Sequence, residues 1–397
     1  MAQTTAEQMR RWQGPALFTY GFRPFFLFAA LWAGLAMPVW IAMLSGGLDL
    51  PSRFDPVSWH AHAFLFGYLG AVIAGFLLTA VPNWTGRLPV VGWKLAGLVA
   101  LWALGRVAVL GSSLIPVWVA AAADLAFPLV LSAVILREIV AGKNWRNLMV
   151  LGLLAVFTLA NLLFHIEAAH GSFAAQGFGL RLGLAAALMM IAVIGGRIVP
   201  SFTRNWLVRE GRAARPVAPM QRFDKMALLA GLAGLTAWAI WPLHPLTGAG
   251  LISVGLLHAI RLVRWKGLHT AAEPLVWVLH LAYGCLPLGA LLSGLAAIRP
   301  DMIAPAAAQH MWMAGALGLM TLAVMTRATL GHTGQRLHAG PLTTAIYLAM
   351  VLSVLLRLAA GVWPAMPFYH LSGVLWVVSF LGFAVGYGPS VLSAFRD

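Results

Sequence analysis

The chain has 397 residues, of which 61% are hydrophobic and 9% charged, with a mean hydropathy of +0.86. That leaves too little polar surface for a soluble protein of this length, and the longest polar stretch, from about Ser201 to Lys225, is too short for a separate hydrophilic domain. The net charge of +15 is spread over many short loops rather than gathered in one basic region, which argues against nucleic-acid recognition and fits contact with anionic lipid.

Hydrophobic runs long enough to cross a bilayer predict about twelve helices, near 24–44, 58–82, 92–111, 115–137, 147–165, 177–199, 226–242, 247–263, 273–295, 303–326, 341–360 and 367–389. The expected fold is all-α, a single polytopic membrane domain over 1–397. The polar segment Met1 to Gln13 leads into the first span without a small-residue cleavage site, so no cleavable leader is expected. Basic residues fall in alternate loops: Arg10, Arg11 and Arg23, then Arg87 and Lys94, then Arg137, Lys143 and Arg146, then Arg204 to Lys225, then Arg261 to Lys266, then Arg327 and Arg336. Under the positive-inside rule these loops, and both termini, are cytoplasmic.

The second span carries His60 and His62. His62, Gly67, Gly70, Thr85 and Gly86 recur 248 residues later as His310, Gly315, Gly318, Thr333 and Gly334 on the tenth. A copy at an offset of 118 keeps Val199, Pro200 and Thr203 but has Leu180 in place of the histidine. The pattern predicts pseudo-three-fold repeats of four helices, about 17–140, 141–265 and 266–390, with an imidazole at one depth on two of them.

The third, sixth and eleventh spans place Arg106, Arg181 and Arg357 toward the periplasmic side, where they either snorkel to headgroups or hold anionic groups of a cofactor such as haem propionates. Asp124 lies inside the fourth span, where it either makes an interhelical hydrogen bond or carries protons. His165 and His170 close the fifth span beside Glu167. Each intramembrane histidine reads either as interhelical polar glue or as a ligand. A shared depth favours ligands: His62 and His310 for a haem iron, and His60, His165 and His170 for copper, which suits imidazole. His258, His280 and His332 lie nearer the cytoplasm and form a second candidate set for a metal or a proton relay. The single Cys285 excludes an intramolecular disulfide and a thiolate cluster.

Four ordered motifs carry a resemblance. They are Tyr20-Gly21-Phe22-Arg23-Pro24-Phe25-Phe26; Trp59-His60-Ala61-His62 leading to Ala74 through Gly86; Gly196-Arg197-Ile198-Val199-Pro200-Ser201-Phe202-Thr203; and Met325 through Gly334. Together they resemble the NnrS family from about residue 17 onward. The resemblance implies a bacterial inner-membrane protein containing haem and copper, tied to denitrification and to resistance against nitric oxide; two imidazoles across the iron with arginines toward the aqueous face would make the haem b-type, haem b. Where that family usually follows the two histidines with a Glu-Met pair, this chain has Ala63-Phe64. The plan of twelve spans with histidines on the second and tenth is also similar to the catalytic subunit of haem-copper oxidases. That group carries three copper ligands on spans six and seven, and here span six has no histidine and span seven none before His244. The function expected is a redox enzyme or NO-handling protein, with a membrane transporter and a non-catalytic NO sensor or assembly factor as alternatives. The expected partners are nitric oxide, the lipid bilayer and an electron donor that the sequence does not identify.

Overall fold

The computed structural model describes residues 12–393, and Arg10 and Arg11, counted above among the basic flanks, lie outside it. Among the described residues every regular element is helical. Twelve helices are long and apolar enough to cross a membrane, as expected: α1 Phe22–Leu44, α2 Pro56–Thr85, α3 Trp93–Leu110, α4 Val117–Ala141, α5 Trp145–Ala169, α6 Phe178–Arg209, α7 Arg222–Ile240, α8 Pro245–Val263, α9 Pro274–Ile298, α10 Pro305–His332, α11 Pro341–Val362 and α12 Met366–Leu392. The chain is an all-α, multi-pass membrane protein.

Local chemistry sets where several helices begin. Asp55 accepts hydrogen bonds from the backbone N–H groups of Val57 and Ser58, with Pro56 in the first helical position of α2. Gln221 and Asp224 form a reciprocal capping box at the start of α7. Glu273 caps α9 ahead of Pro274.

Two ends differ from the sequence reading. The α6 helix continues about ten residues past the expected exit, into the stretch assigned to the polar loop, because Ser201 to Arg209 is amphipathic: Thr203, Trp206 and Leu207 are buried while Arg204 and Arg209 face outward. Arg23, counted as a basic flank, lies inside α1 and is buried, and its guanidinium donates to the carbonyls of Val391 (2.9 Å) and Ser393 (2.6 Å).

The described residues divide into two compact units, 12–183 with 328–335 and 380–393, and 184–327 with 336–379. In the first, α1 packs on α2, α3 on α4, α4 on α5, and α2 on α4. In the second, α8 packs closely on α9, flanked by α7 and α10.

Among the described residues three helices contain a π-helical segment, a feature often found at functional sites: Ala63–Tyr68 in α2, Ile191–Gly195 in α6 and Met311–Leu319 in α10. Those of α2 and α10 begin 248 residues apart, each directly after a histidine. A π turn pushes carbonyls out of the helical ladder, and in hydrocarbon they must find other donors. In α2 the indole N–H groups of Trp32 and Trp102 reach the carbonyls of Ala63 (2.8 Å) and Gly67 (2.9 Å). In α6 Arg261 donates to Ala192 (2.7 Å), and in α10 Thr321 donates to Leu317 (2.7 Å) and Gly318 (2.9 Å).

Orientation is open to a direct labelling test. Arg212 and Asp301 are both exposed. If the basic loops are cytoplasmic, an impermeant thiol reagent added to intact cells will label a cysteine at 301 and spare one at 212, in a background with Cys285 replaced. The reverse pattern would invert the bundle.

Candidate metal centre

In the first unit four helices converge on one carboxylate. Asp124 of α4 is 1% exposed, and around it stand His62 of α2 (0%), Arg106 of α3 (5%), and Asn161 (3%) and His165 (5%) of α5. Asn161 and His165 are four residues apart and so share a helix face. The Nε2 atoms of His62 and His165 each lie 3.0 Å from Oδ2 of Asp124, and the Asn161 amide donates to the same oxygen at 2.8 Å. The other carboxylate oxygen accepts from Nη2 of Arg106.

A charge this deep in apolar helices survives through such partners. Two glycines make room for them. A Cβ on Gly105 would sit 2.8 Å from Oδ1 of Asp124 and 3.0 Å from its Cα, and one on Gly67 would collide with Nη1 of Arg106. Gly105→Ala gains helix propensity, yet it pushes backbone against backbone beside a buried ion pair. It is therefore expected to destabilise the protein by about 1–3 kcal/mol, read as a lower midpoint of thermal unfolding in detergent; a raised midpoint would show the contact to be loose.

Hydrogen-bond directions follow from the partners. Asp124 and the Asn161 Oδ1, also 3.0 Å from His62 Nε2, both accept, so Nε2 of His62 carries its proton. The His62 Nδ1 is buried with no hydrogen-bond partner, so a metal ligated at Nε2 would leave the ring's N–H on Nδ1 without an acceptor. The wall is aromatic: ring centroids of Phe54, Phe66 and Phe164 lie 5.1, 5.3 and 5.5 Å from that of His62. Ligand atoms of His62, Asp124 and His165 all fall within 4.8 Å of one another, close enough for a single ion. No ion is needed to hold this geometry together, and two imidazoles with a carboxylate are a donor set suited to copper or zinc.

The other sequence candidates are dispersed. His60 stacks on Trp40 at 4.5 Å and stands apart from the Asp124 set. His170 is exposed, with Nδ1 bonded to the carbonyl of Ile166 (2.8 Å). His310 donates from Nδ1 to the carbonyl of Ala306 (2.6 Å). Arg181 donates to the carbonyl of Gln176, and Arg357 lies over the ring of Tyr369 at 5.2 Å. His332 rests against the rings of Tyr20 and Phe22. His280 contacts the Thr203 hydroxyl at 2.7 Å.

His258 belongs to a second buried network in the other unit. Arg261, 0% exposed, donates to Asp224 (2.8 Å) and to the Tyr283 hydroxyl (2.9 Å). The His258 Nε2 donates to the carbonyl of Ala227 (3.1 Å), so its Nδ1 accepts from Tyr283 (2.8 Å). Every imidazole nitrogen there is engaged by protein, and the arrangement braces α6, α7, α8 and α9.

Position along the spans does not join Asp124 to the histidines, and hydropathy does not single out Asn161. The available signals were the i, i+4 spacing of Asn161 and His165 and the single short loop between Arg106 and Asp124, which gives the arginine a carboxylate on the next helix.

A family model described as NnrS protein matches residues 16–394, nearly the whole chain. No curated protein gives a significant match.

Proposed function

The chain belongs to the NnrS family, a membership that fits a membrane protein of the nitric-oxide response, and on that premise we propose that it handles nitric oxide at a redox metal held by His62, Asp124 and His165. The observation that carries the reading is the convergence of two imidazoles on one buried carboxylate inside an aromatic wall. Copper is the ion of this proposal, since imidazole suits it. Once bound it would supply one-electron chemistry and a coordination position for NO.

The protein's own residues do the rest. In the ion-free site Asp124 gathers both imidazoles through the Nε2 atoms that would ligate the ion, and it would then stand beside them as a third ligand; Asn161 orients the carboxylate, Arg106 compensates its charge, and Phe54, Phe66 and Phe164 keep water out while admitting a small apolar gas. For haem b the proposal keeps His310 as a ligand, its Nδ1–H being given to the carbonyl of Ala306 as metal-bound histidines commonly give their second ring nitrogen to a carbonyl. The setting is the bacterial inner membrane with both termini cytoplasmic, supported by the basic loops.

The test is NO consumption by the purified, metal-loaded protein with and without an artificial electron donor, alongside a His62→Ala/His165→Ala variant. Donor-dependent consumption that is lost in the variant is expected. Unchanged copper content and NO response in the variant would overturn the assignment. NO binding without donor-dependent turnover would move the reading to a sensor, and a protein that holds no metal would move it to a transporter.

A further inference from the structure

We infer that Arg106 makes the Asp124 site selective for a singly charged soft cation, Cu(I), over divalent ions. The inference rests on the metal reading above and adds to it the charge of the ion. Three observations carry it.

The first is that the only anionic group in the set is already compensated. Arg106 donates through Nη2 to Oδ1 of Asp124, and the side chains are 6% and 0% exposed. The Nε and Nη1 atoms of Arg106 are buried without hydrogen-bond partners, so no second carboxylate shares this guanidinium. The second is that every other donor is neutral: two imidazoles, the Asn161 amide and a wall of phenyl rings. Protein atoms therefore bring no net charge, and a bound ion keeps its full charge in the site.

The third is burial. His62, Asp124 and His165 are each at most 5% exposed in helices that cross the apolar layer. The cost of placing a charge in such a medium grows with its square, so a singly charged ion pays about a quarter of what a doubly charged one pays. Carboxylate-rich sites lower that difference by supplying negative charge; here the arginine has used it. Two Nε2 atoms within 4.8 Å of one another suffice for Cu(I), which accepts low coordination numbers, whereas Zn(II) requires a fuller shell.

The experiment is a pair of competition titrations on the full-length protein in detergent, one with Cu(I) and one with Zn(II), each against a chromophoric chelator. Binding is counted as the part lost in His62→Ala/His165→Ala, which removes surface histidines from the account. Wild type is expected to hold one Cu(I) and to bind Zn(II) about tenfold or more weakly. Arg106→Gln, which removes the cation, should narrow that ratio by about tenfold or more, while Arg106→Lys, which keeps it, should behave as wild type. Equal affinity for both ions in wild type overturns the inference and leaves the metal site standing, and so does an unchanged ratio in Arg106→Gln. If Arg106→Gln does not fold, the wild-type ratio alone decides. Binding of neither ion overturns the metal reading itself, and the inference with it.

Discussion

Asp124→Ala is expected to lower stability by about 3–5 kcal/mol, because it leaves the Arg106 guanidinium buried without its counter-charge. The same change takes away the acceptor shared by His62, His165 and Asn161, so copper retention should fall with it. Thermal unfolding in detergent and metal analysis read the two effects on one sample. Asp124→Asn keeps the volume and some of the hydrogen bonds but not the charge, and should lie between wild type and the alanine variant in both. A stability change below about 1 kcal/mol for Asp124→Ala, the range of an exposed ion pair, would mean that water reaches the cluster.

Arg261→Ala should be as costly for stability, about 3–5 kcal/mol, and should leave copper in place. Its loss strands Asp224 in the interior and removes the donors to Ala192 and Tyr283, so the π turn of α6 loses a partner for its displaced carbonyl. None of these groups belongs to the Asp124 set. The contrast between the two variants separates folding from metal binding: both unfold earlier, and one alone loses the ion. Copper loss in Arg261→Ala at a temperature where it remains folded would show that the metal draws on the Asp224 network.

The spans were legible because hydrocarbon imposes a length and an apolar composition that few sequences meet by accident, and all twelve are present. Polar residues within them were legible for the same reason: His62, His165, Arg106 and Asp124 stand out in otherwise apolar helices. Their partnership was not. Hydropathy assigns a residue a depth, but which faces meet depends on how α2, α3, α4 and α5 are rotated about their axes, and Gly67 and Gly105 take part in setting that. Depth alone therefore assigns His62 and His165 to different metals, whereas the two share one carboxylate oxygen.

Helix ends were harder to read than helix existence. Ser201 to Arg209 is polar in composition yet helical, since its buried face carries Thr203, Trp206 and Leu207. The π segments left no mark in hydropathy at all. Their traces are the donors that satisfy them, Trp32, Trp102, Arg261 and Thr321, which come from elsewhere in the fold or from the next turn.

The claim on which the functional reading turns is that His62 and His165 hold one metal ion, and a diffraction experiment on copper-loaded protein at the copper absorption edge tests it most directly. The prediction is a single strong anomalous peak about 2.0 Å from Nε2 of both histidines, next to Asp124. Copper located at other histidines, with none between these two, would contradict it.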